Sequence, residues 1–504
     1  MSPSPSSPSG TTIRSRLRLR AVPRTFAVAL LVAGATVVGA GPAAARTLGC
    51  GEVITVDTRL GDDLVDCPDE GLVIGADDVT LDLNGHTIDG DGISPASCPV
   101  EGRACDVGVD KTAGHRGVTI RGGSIQQFAA GVVVTGGDGN HLRRLTITQT
   151  TNEAIAVLGS TDPVIEDNTM PDPGITGVVV LDSSDAVVSR NVTSGSTGYA
   201  MFLMADHSVI EHNRLESGEH GFAVGGTDTT VRRNVVSDSG GGIDVSADAS
   251  GIRVEENLLH QVGDGVIVDV ASDTLVRHNV VDRTGGGERG GFGVILDGAV
   301  RTTVDRNVIH ATGDGPAIYV AHLDAATAPE DNRVTQNHVT SEHADGILVD
   351  PDATGTLLSG NVAMDSGDDG IDVDAPGTTL TGNVAVHDRD LGIEAVPGVV
   401  DGGGNHAVGN GDPAQCTNVS CSYAARGGPG SAEAERTALE RRHTQVASGP
   451  PQAQPGARPA IGASRCNARP VPVEGMSVFT SLSSVLMSAT PRISASWTPP
   501  SHAR

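Results

Sequence analysis

One stretch of this chain gathers carboxylates at a spacing that chemistry can use. Four short runs that begin at Gly (GVIVDV at 265, GVILDG at 293, GILVDP at 346 and GIDVDA at 370) set Asp269, Asp297, Asp350 and Asp374 at a common position, four residues after the Gly. Ala321 fills the one intervening run. If Val266, Val268, Ile371 and Val373 face inward along a strand, these four Asp face outward. Asp345, Asp352, Asp368, Asp369 and Asp372 thicken the same region, making 345–374 the densest acidic segment of the chain. Stacked carboxylates repel one another unless they are screened, hold protons or bind a cation. Two chemistries follow. Asp269, Asp297, Asp350, Asp372 and Asp374 are candidate ligands for a hard cation, with Ca²⁺ the possible cofactor, because oxygen donors without thiolates suit that ion. Asp345, Asp350, Asp368, Asp369 and Asp374 are candidate acids and bases for breaking a sugar bond. The plainer reading is that Asp ends strands by bonding the following turn and leaves a solvated face.

The elements that would position these side chains are set by a repeat. Asn recurs at Asn168, Asn191, Asn213, Asn234, Asn257, Asn279, Asn307, Asn337, Asn361, Asn383 and Asn405, at intervals of 21 to 30 residues. Such a period means a solenoid whose units stack on their neighbours. Between the Asn lie alternating runs of four or five residues bounded by Gly, Asp and Asn, a strand signal and not a helical one. Two or three strands per period make one coil of a parallel β-helix. Stacked once per coil, each Asn amide can bond the Asn above and below it and the turn backbone, which makes the column structural. About fifteen coils fit, with a rise of roughly 4.8 Å each and hence a length on the order of 70 Å. The two longest intervals predict loops at 285–291 and 323–331, and extra loops on a solenoid commonly line a binding face.

Composition sharpens the class. The chain has 504 residues, 62 acids against 34 bases and a net charge of −28. Residues 1–46 carry six Arg and no acid, and 426–504 carry nine Arg and four Glu, so 47–425 alone stands at −39. An acidic chain with only ten aromatic side chains excludes nucleic acid as a partner. The single long apolar run, Phe26 to Ala40, sits between Arg-rich residues and the small-residue site Ala43-Ala44-Ala45, so 1–45 reads as a secretory signal, with no membrane span once it is removed. Cys50 with Cys67, Cys98 with Cys105 and Cys416 with Cys421 fall in pairs at the two ends of the acidic block, predicting short disulfide loops in an oxidising compartment. The expected organisation is a signal over 1–45, an N-terminal cap and first coils over 46–110, repeats over 111–411, a C-terminal cap over 412–425 and a basic, disordered tail over 426–504.

The repeat, with the opening LVIGADDVTLDLNGHTIDGDG at 72–92, resembles the right-handed parallel β-helix superfamily, the pectin-lyase-like fold, over about 72–411. It is similar in particular to exported β-helix repeat proteins that include a periplasmic copper-maturation protein. The resemblance implies an all-β, right-handed parallel β-helix with disulfide-pinned ends, and a superfamily of lyases, hydrolases, epimerases, tailspikes and non-catalytic surface proteins. SGDDGIDV at 366–373 resembles the paired-aspartate segment of polygalacturonases through Asp368 and Asp369, but the family's following His and basic motif are missing. ILVDPDATG at 347–355 partly resembles the uronate epimerase motif and lacks its His and Tyr. A lyase would need an Arg base, for which Arg190, Arg233 and Arg306 are available beside the Asn column. Copper would need soft ligands, and Met201, Met204, His207 and His220 supply them at short spacing. The leading expectation is a secreted or cell-surface protein that binds a polysaccharide or cell-surface glycan, or acts as a scaffold. The alternatives are a polysaccharide lyase or glycoside hydrolase using 345–374, and a copper-handling accessory protein.

Overall fold

The computed structural model describes residues 45–93, 105–286, 290–323 and 327–423. The expected signal up to Ala44, Cys98 and the basic tail with Cys466 lie outside the described residues. The described chain is a right-handed parallel β-helix of about fifteen turns with no helix. Each full coil carries three strand segments, and every segment pairs in parallel with its counterpart one coil on. In one coil these are Glu153–Leu158, Val164–Glu166 and Thr169–Pro171, which pair with Thr176–Ser184, Val187–Ser189 and Val192–Ser194. The first of the three begins at the recurrent Gly and is called the Gly-led face below.

Alternation decides which side chains fill the bore. Along the Gly-led face Val132, Ile155, Val178, Met201, Phe222, Ile243, Val266, Val294, Ile318, Ile347, Ile371 and Ile393 stack inward and are all buried. The next face contributes a parallel column from Leu142 and Ile165 to Leu358 and Leu380. Branched side chains dominate because they pack on a pleated surface with little rotamer freedom to lose. The leading Gly has its own reason. A Cβ on Gly242 would strike the carbonyl of Gly265, and one on Gly265 would strike that of Gly293, so successive backbones touch at this corner and exclude any side chain.

The Asn column lines a second corner. All eleven side chains are buried. Each amide nitrogen from Asn168 to Asn383 donates to the Oδ1 of the next Asn, at 3.0 to 3.2 Å, and to a backbone carbonyl of the preceding coil. The residue before each Asn turns the chain in the left-handed region: φ is 53 to 57° from Asp167 to Gln336, and Gly360, Gly382 and Gly404 take over in the last coils. Non-glycine residues enter this region at a steric cost, which the bonds of the Asn offset.

Disulfides Cys50–Cys67 and Cys416–Cys421 close the first and last described coils. Cys105 is also disulfide-bonded.

Candidate functional site

Strand alternation gives the Gly-led face two outward columns, a third lies at the corner just before the Gly, and their chemistry changes along the solenoid. Its central column runs Val133, Ala156, Val179, Phe202 and Ala223 in the early coils, then Asp244, Ile267, Ile295, Tyr319, Leu348, Asp372 and Glu394. The apolar side chains pack into clusters around Val179 and Phe202 and around Phe292 and Ile295. The last coils are acidic.

At the leading end of this face Asp264, Asp345 and Asp369 occupy one outward column and do the same local work. Asp264 Oδ1 accepts from the backbone N–H groups of Gly291 and Phe292, Asp345 Oδ1 from Asp369 N–H at 3.0 Å, and Asp369 Oδ1 from Leu391 N–H at 2.6 Å. Each carboxylate thus holds the entry of the following coil, leaving its second oxygen for other contacts. Carboxylate oxygens of Asp345, Asp369 and Asp372 all lie within 4.8 Å of one another, as do those of Asp368, Asp369 and Asp390. Asp369 is 4 % exposed and Asp372 7 %.

Burial dominates the proton affinities. It pushes Asp372 up to about 8, reinforced by the charges of Asp345, Asp374, Glu394 and Asp368. It raises Asp345 to about 6, against the opposing bond from Asp369 N–H. Asp369 is raised by burial and by a proton shared with Glu394. Among the described residues, no Arg, Lys or His pairs with any of the three acids.

Toward the other end of the same strands a second group forms. Asp350 accepts from the Tyr319 hydroxyl at 2.7 Å and from His322 N–H at 2.8 Å, and His322 Nδ1 lies 3.1 Å from Asp352. Burial raises Asp350, with Asp374 and Asp297 adding like charge. The same burial raises the Tyr319 phenol far above its ordinary range. Asp297, fully buried, accepts from Leu323 N–H at 3.0 Å. The Tyr319 ring packs on Phe292 with centroids 5.6 Å apart and is not free to stack on a ligand.

The strand register keeps Asp269, Asp297, Ala321, Asp350 and Asp374 at one position of successive coils, and a tighter group of acids forms beside them. Of the five expected cation ligands, only Asp372 joins a tight cluster, and its partners are Asp345 and Asp369. Asp269 and Asp297 are register neighbours, Ala321 interrupts the column, and Asp350 and Asp374 lie beyond it around Tyr319. Glu394 and Asp390 belong to the cluster and were not singled out. The signal was present, since GIEA at 392 repeats the frame of GIDV at 370. Buried Asp388, at the turn into the Gly-led face, was missed as well; its clue is the 22-residue series Ser366, Asp388, Asn410.

Other candidates are engaged elsewhere. Arg190 pairs with Asp167 at 2.7 Å, Arg233 with Glu256 at 2.6 Å and Arg306 with Asp305 at 2.7 Å. Met201 is in the bore, Met204 faces outward, His220 stacks on Tyr199 at 4.8 Å and His207 sits on an exposed turn 3.9 Å from Asp228, so the soft ligands do not converge. A depression of about 480 Å³ lies on the turns of early coils, lined by Asp182, Met204 and Asp206 among others, well away from the acids. No helix among the described residues is long and apolar enough to cross a membrane.

Among solved structures, similar folds include a PL6 alginate lyase complex with trisaccharide (12 % identity over 62 % of this chain and 80 % of that one, TM-score 0.43). They also include alginate lyase AlyF-OU02 with G6 (13 %, 75 % and 84 %, TM-score 0.43) and a tailspike protein of E. coli bacteriophage HK620 with pentasaccharide (12 %, 74 % and 74 %, TM-score 0.42). No curated protein matches the chain. The model of the right handed beta helix region matches residues 107–259 and 204–361, together just over half of the chain. That match falls on the same stacked coils that the strand pairings trace, and the chain belongs to the right-handed β-helix family.

Proposed function

We propose that this protein works outside the cytosol as a glycan-binding β-helix, with an extended sugar chain lying along the outward Gly-led face of the last five coils. One observation carries the reading: over these coils the face changes from apolar side chains to a track of carboxylates, Asp345, Asp350, Asp369, Asp372, Asp374 and Glu394, supported by Tyr319 and His322. Five coils span about 20 Å at the parallel-strand spacing, the length of a short oligosaccharide. Fixed oxygen acceptors on the last coils suit sugar hydroxyls, and the rigid sheet holds them in place before binding. The negative field selects neutral glycans over polyuronates. The disulfides support an oxidising location.

The test is binding of the purified protein to an array of neutral and uronic glycans, in chelator. Retention of a neutral glycan, weakened in Asp350→Ala and Asp374→Asn, is the expected result. Failure to retain any glycan refutes the reading.

Cleavage of the bound chain is a second reading, favoured by one feature. Asp372 keeps its proton at neutral pH within 4.8 Å of Asp345, which ionises near pH 6, so an acid stands beside a base. New reducing ends from a bound glycan, lost in Asp345→Asn and Asp372→Asn, would establish it. Intact glycan after prolonged incubation would dismiss it.

A further inference from the structure

We propose that Asp345, Asp369 and Asp372 form a binding site for one hard divalent cation, Ca²⁺ in preference to Mg²⁺. Three side chains from two successive coils bring carboxylate oxygens within 4.8 Å of one another, a span a single ion can bridge. Proximity of acids alone would be weak ground. The independent observation is Asp372 Oδ1, which has no hydrogen-bond partner although its residue is only 7 % exposed and its carboxylate faces the other two. An oxygen buried without a partner carries the full desolvation penalty of the group, and an ion at the centre of the cluster removes it.

The other two acids are already oriented for the task. Asp345 and Asp369 each have one oxygen fixed by a backbone N–H of the next coil, so their remaining oxygens are held in place by the sheet and not by mobile side-chain rotamers. Among the described residues, the charges of Asp368, Asp374 and Glu394 weigh on the cluster, and Asp390 lies beside Asp369. Among the described residues, no Arg, Lys or His forms an ion pair with Asp345, Asp369 or Asp372. The donor set is all oxygen, with neither thiolate nor imidazole, which excludes the softer transition metals. Several carboxylates at irregular spacing suit the larger ion with its flexible coordination, whereas Mg²⁺ demands a near-octahedral shell and keeps its waters.

This inference does not depend on the glycan reading, whose test is run in chelator. Chelator-stripped full-length protein is titrated with CaCl₂ and with MgCl₂ by calorimetry up to about 10 mM, above the weakest affinities of extracellular Ca²⁺ modules, and melting is followed in parallel. The expected result is one saturable Ca²⁺ site and a Ca²⁺-dependent rise in melting temperature. Both are weakened at least about tenfold in Asp372→Asn and in Asp345→Asn, and unchanged in Asp228→Asn on a distant exposed turn. Asn reproduces the size of the protonated acid, so ion-free Asp372→Asn melts no lower than ion-free wild type. Two variants guard against one failing to fold. Absence of Ca²⁺ binding, or binding retained in both variants, overturns the site, and an equal response to Mg²⁺ overturns the stated preference.

Discussion

Asp388→Asn should stabilise this protein at neutral pH, and by an amount that depends on pH in a defined way. Asp388 is 2 % exposed. Its Oδ1 accepts from Ser366 N–H at 2.9 Å, while its Oδ2 has no partner and lies against Gly370. Burial pushes its proton affinity up to about 8, beyond what the Ser366 bond can offset. The unfolded chain ionises near 3.8. Below about pH 4 both states hold the proton, and the group contributes no pH dependence. Between about pH 4 and 8 the unfolded chain releases a proton that the folded protein keeps, so stability falls by about 1.4 kcal/mol per pH unit. At pH 7 the accumulated loss is about 4 kcal/mol, and it levels off above pH 8. Asn carries no such proton. In the next coil Asn410 already occupies the equivalent place, with its Oδ1 accepting from Asp388 N–H and its Nδ2 donating to Ala385 O. The carbonyl of Ala363 is the corresponding acceptor for an Asn at 388. Solenoid coils open locally, so the assay is hydrogen exchange of Val362–Met364 and Val384–Val386 alongside urea unfolding, from pH 4 to 8. The wild-type and Asn proteins should coincide near pH 4 and diverge toward pH 7, with Asn the more stable. A difference that does not change with pH, or an Asn variant less stable at pH 7, would refute the reasoning.

Two further outcomes follow from the frame. Asn257→Ala removes four hydrogen bonds of 2.9 to 3.1 Å, to Val231 O, to Asn279 Oδ1 and from Asn234 N and Nδ2, and should cost about 4 kcal/mol at about 1 each, read as a lowered urea midpoint; a loss under about 1 kcal/mol would mean the column is replaceable by water. Replacing Cys50 and Cys67 together by Ser opens a loop of sequence separation 17 and should cost about 3 kcal/mol, seen as fraying of Glu52–Ile54 and Thr58–Leu60 in hydrogen exchange; unchanged exchange there would show that the first coils hold without the bond.

The coils could be read from the sequence because their determinants are local. A Gly where backbones touch, an Asn at a left-handed turn and an alternating apolar run recur within each period, and their meaning does not depend on distant residues. The acidic cluster is of another kind. Alternation correctly turns Asp372 outward, but nothing in one period reveals that Asp345 and Asp369 sit across a coil boundary from each other, because that depends on the register of two runs whose intervening loops differ in length. Burial is harder still to anticipate. An outward Asp such as Asp297 reads as solvated, yet the 323 segment returns over it. Asp388 shows the limit most clearly, since a turn Asp looks like an exposed turn former until the corner closes around it.

The Asn column has an electrical consequence. Backbone hydrogen bonds between coils alternate in direction: Val192 N–H donates to the earlier coil at Asn168 O, whereas Arg190 N–H donates to the later coil at Glu211 O. Their dipoles along the solenoid axis largely cancel. The side-chain amides do not alternate, because every Nδ2 from Asn168 onward points its N–H toward the next Asn. Eleven aligned amides therefore form a buried wire of like-directed dipoles, negative at the early coils and positive at the late ones. At its positive end Asn405 Nδ2 meets Asp401 Oδ1 at 3.3 Å, a carboxylate whose proton affinity is lowered by the N–H groups of Ser420 and Gly403 and by this amide. The last turn thus terminates the polarity that the stack accumulates, so that Asp401 does for the solenoid what an acidic N-cap does for a helix.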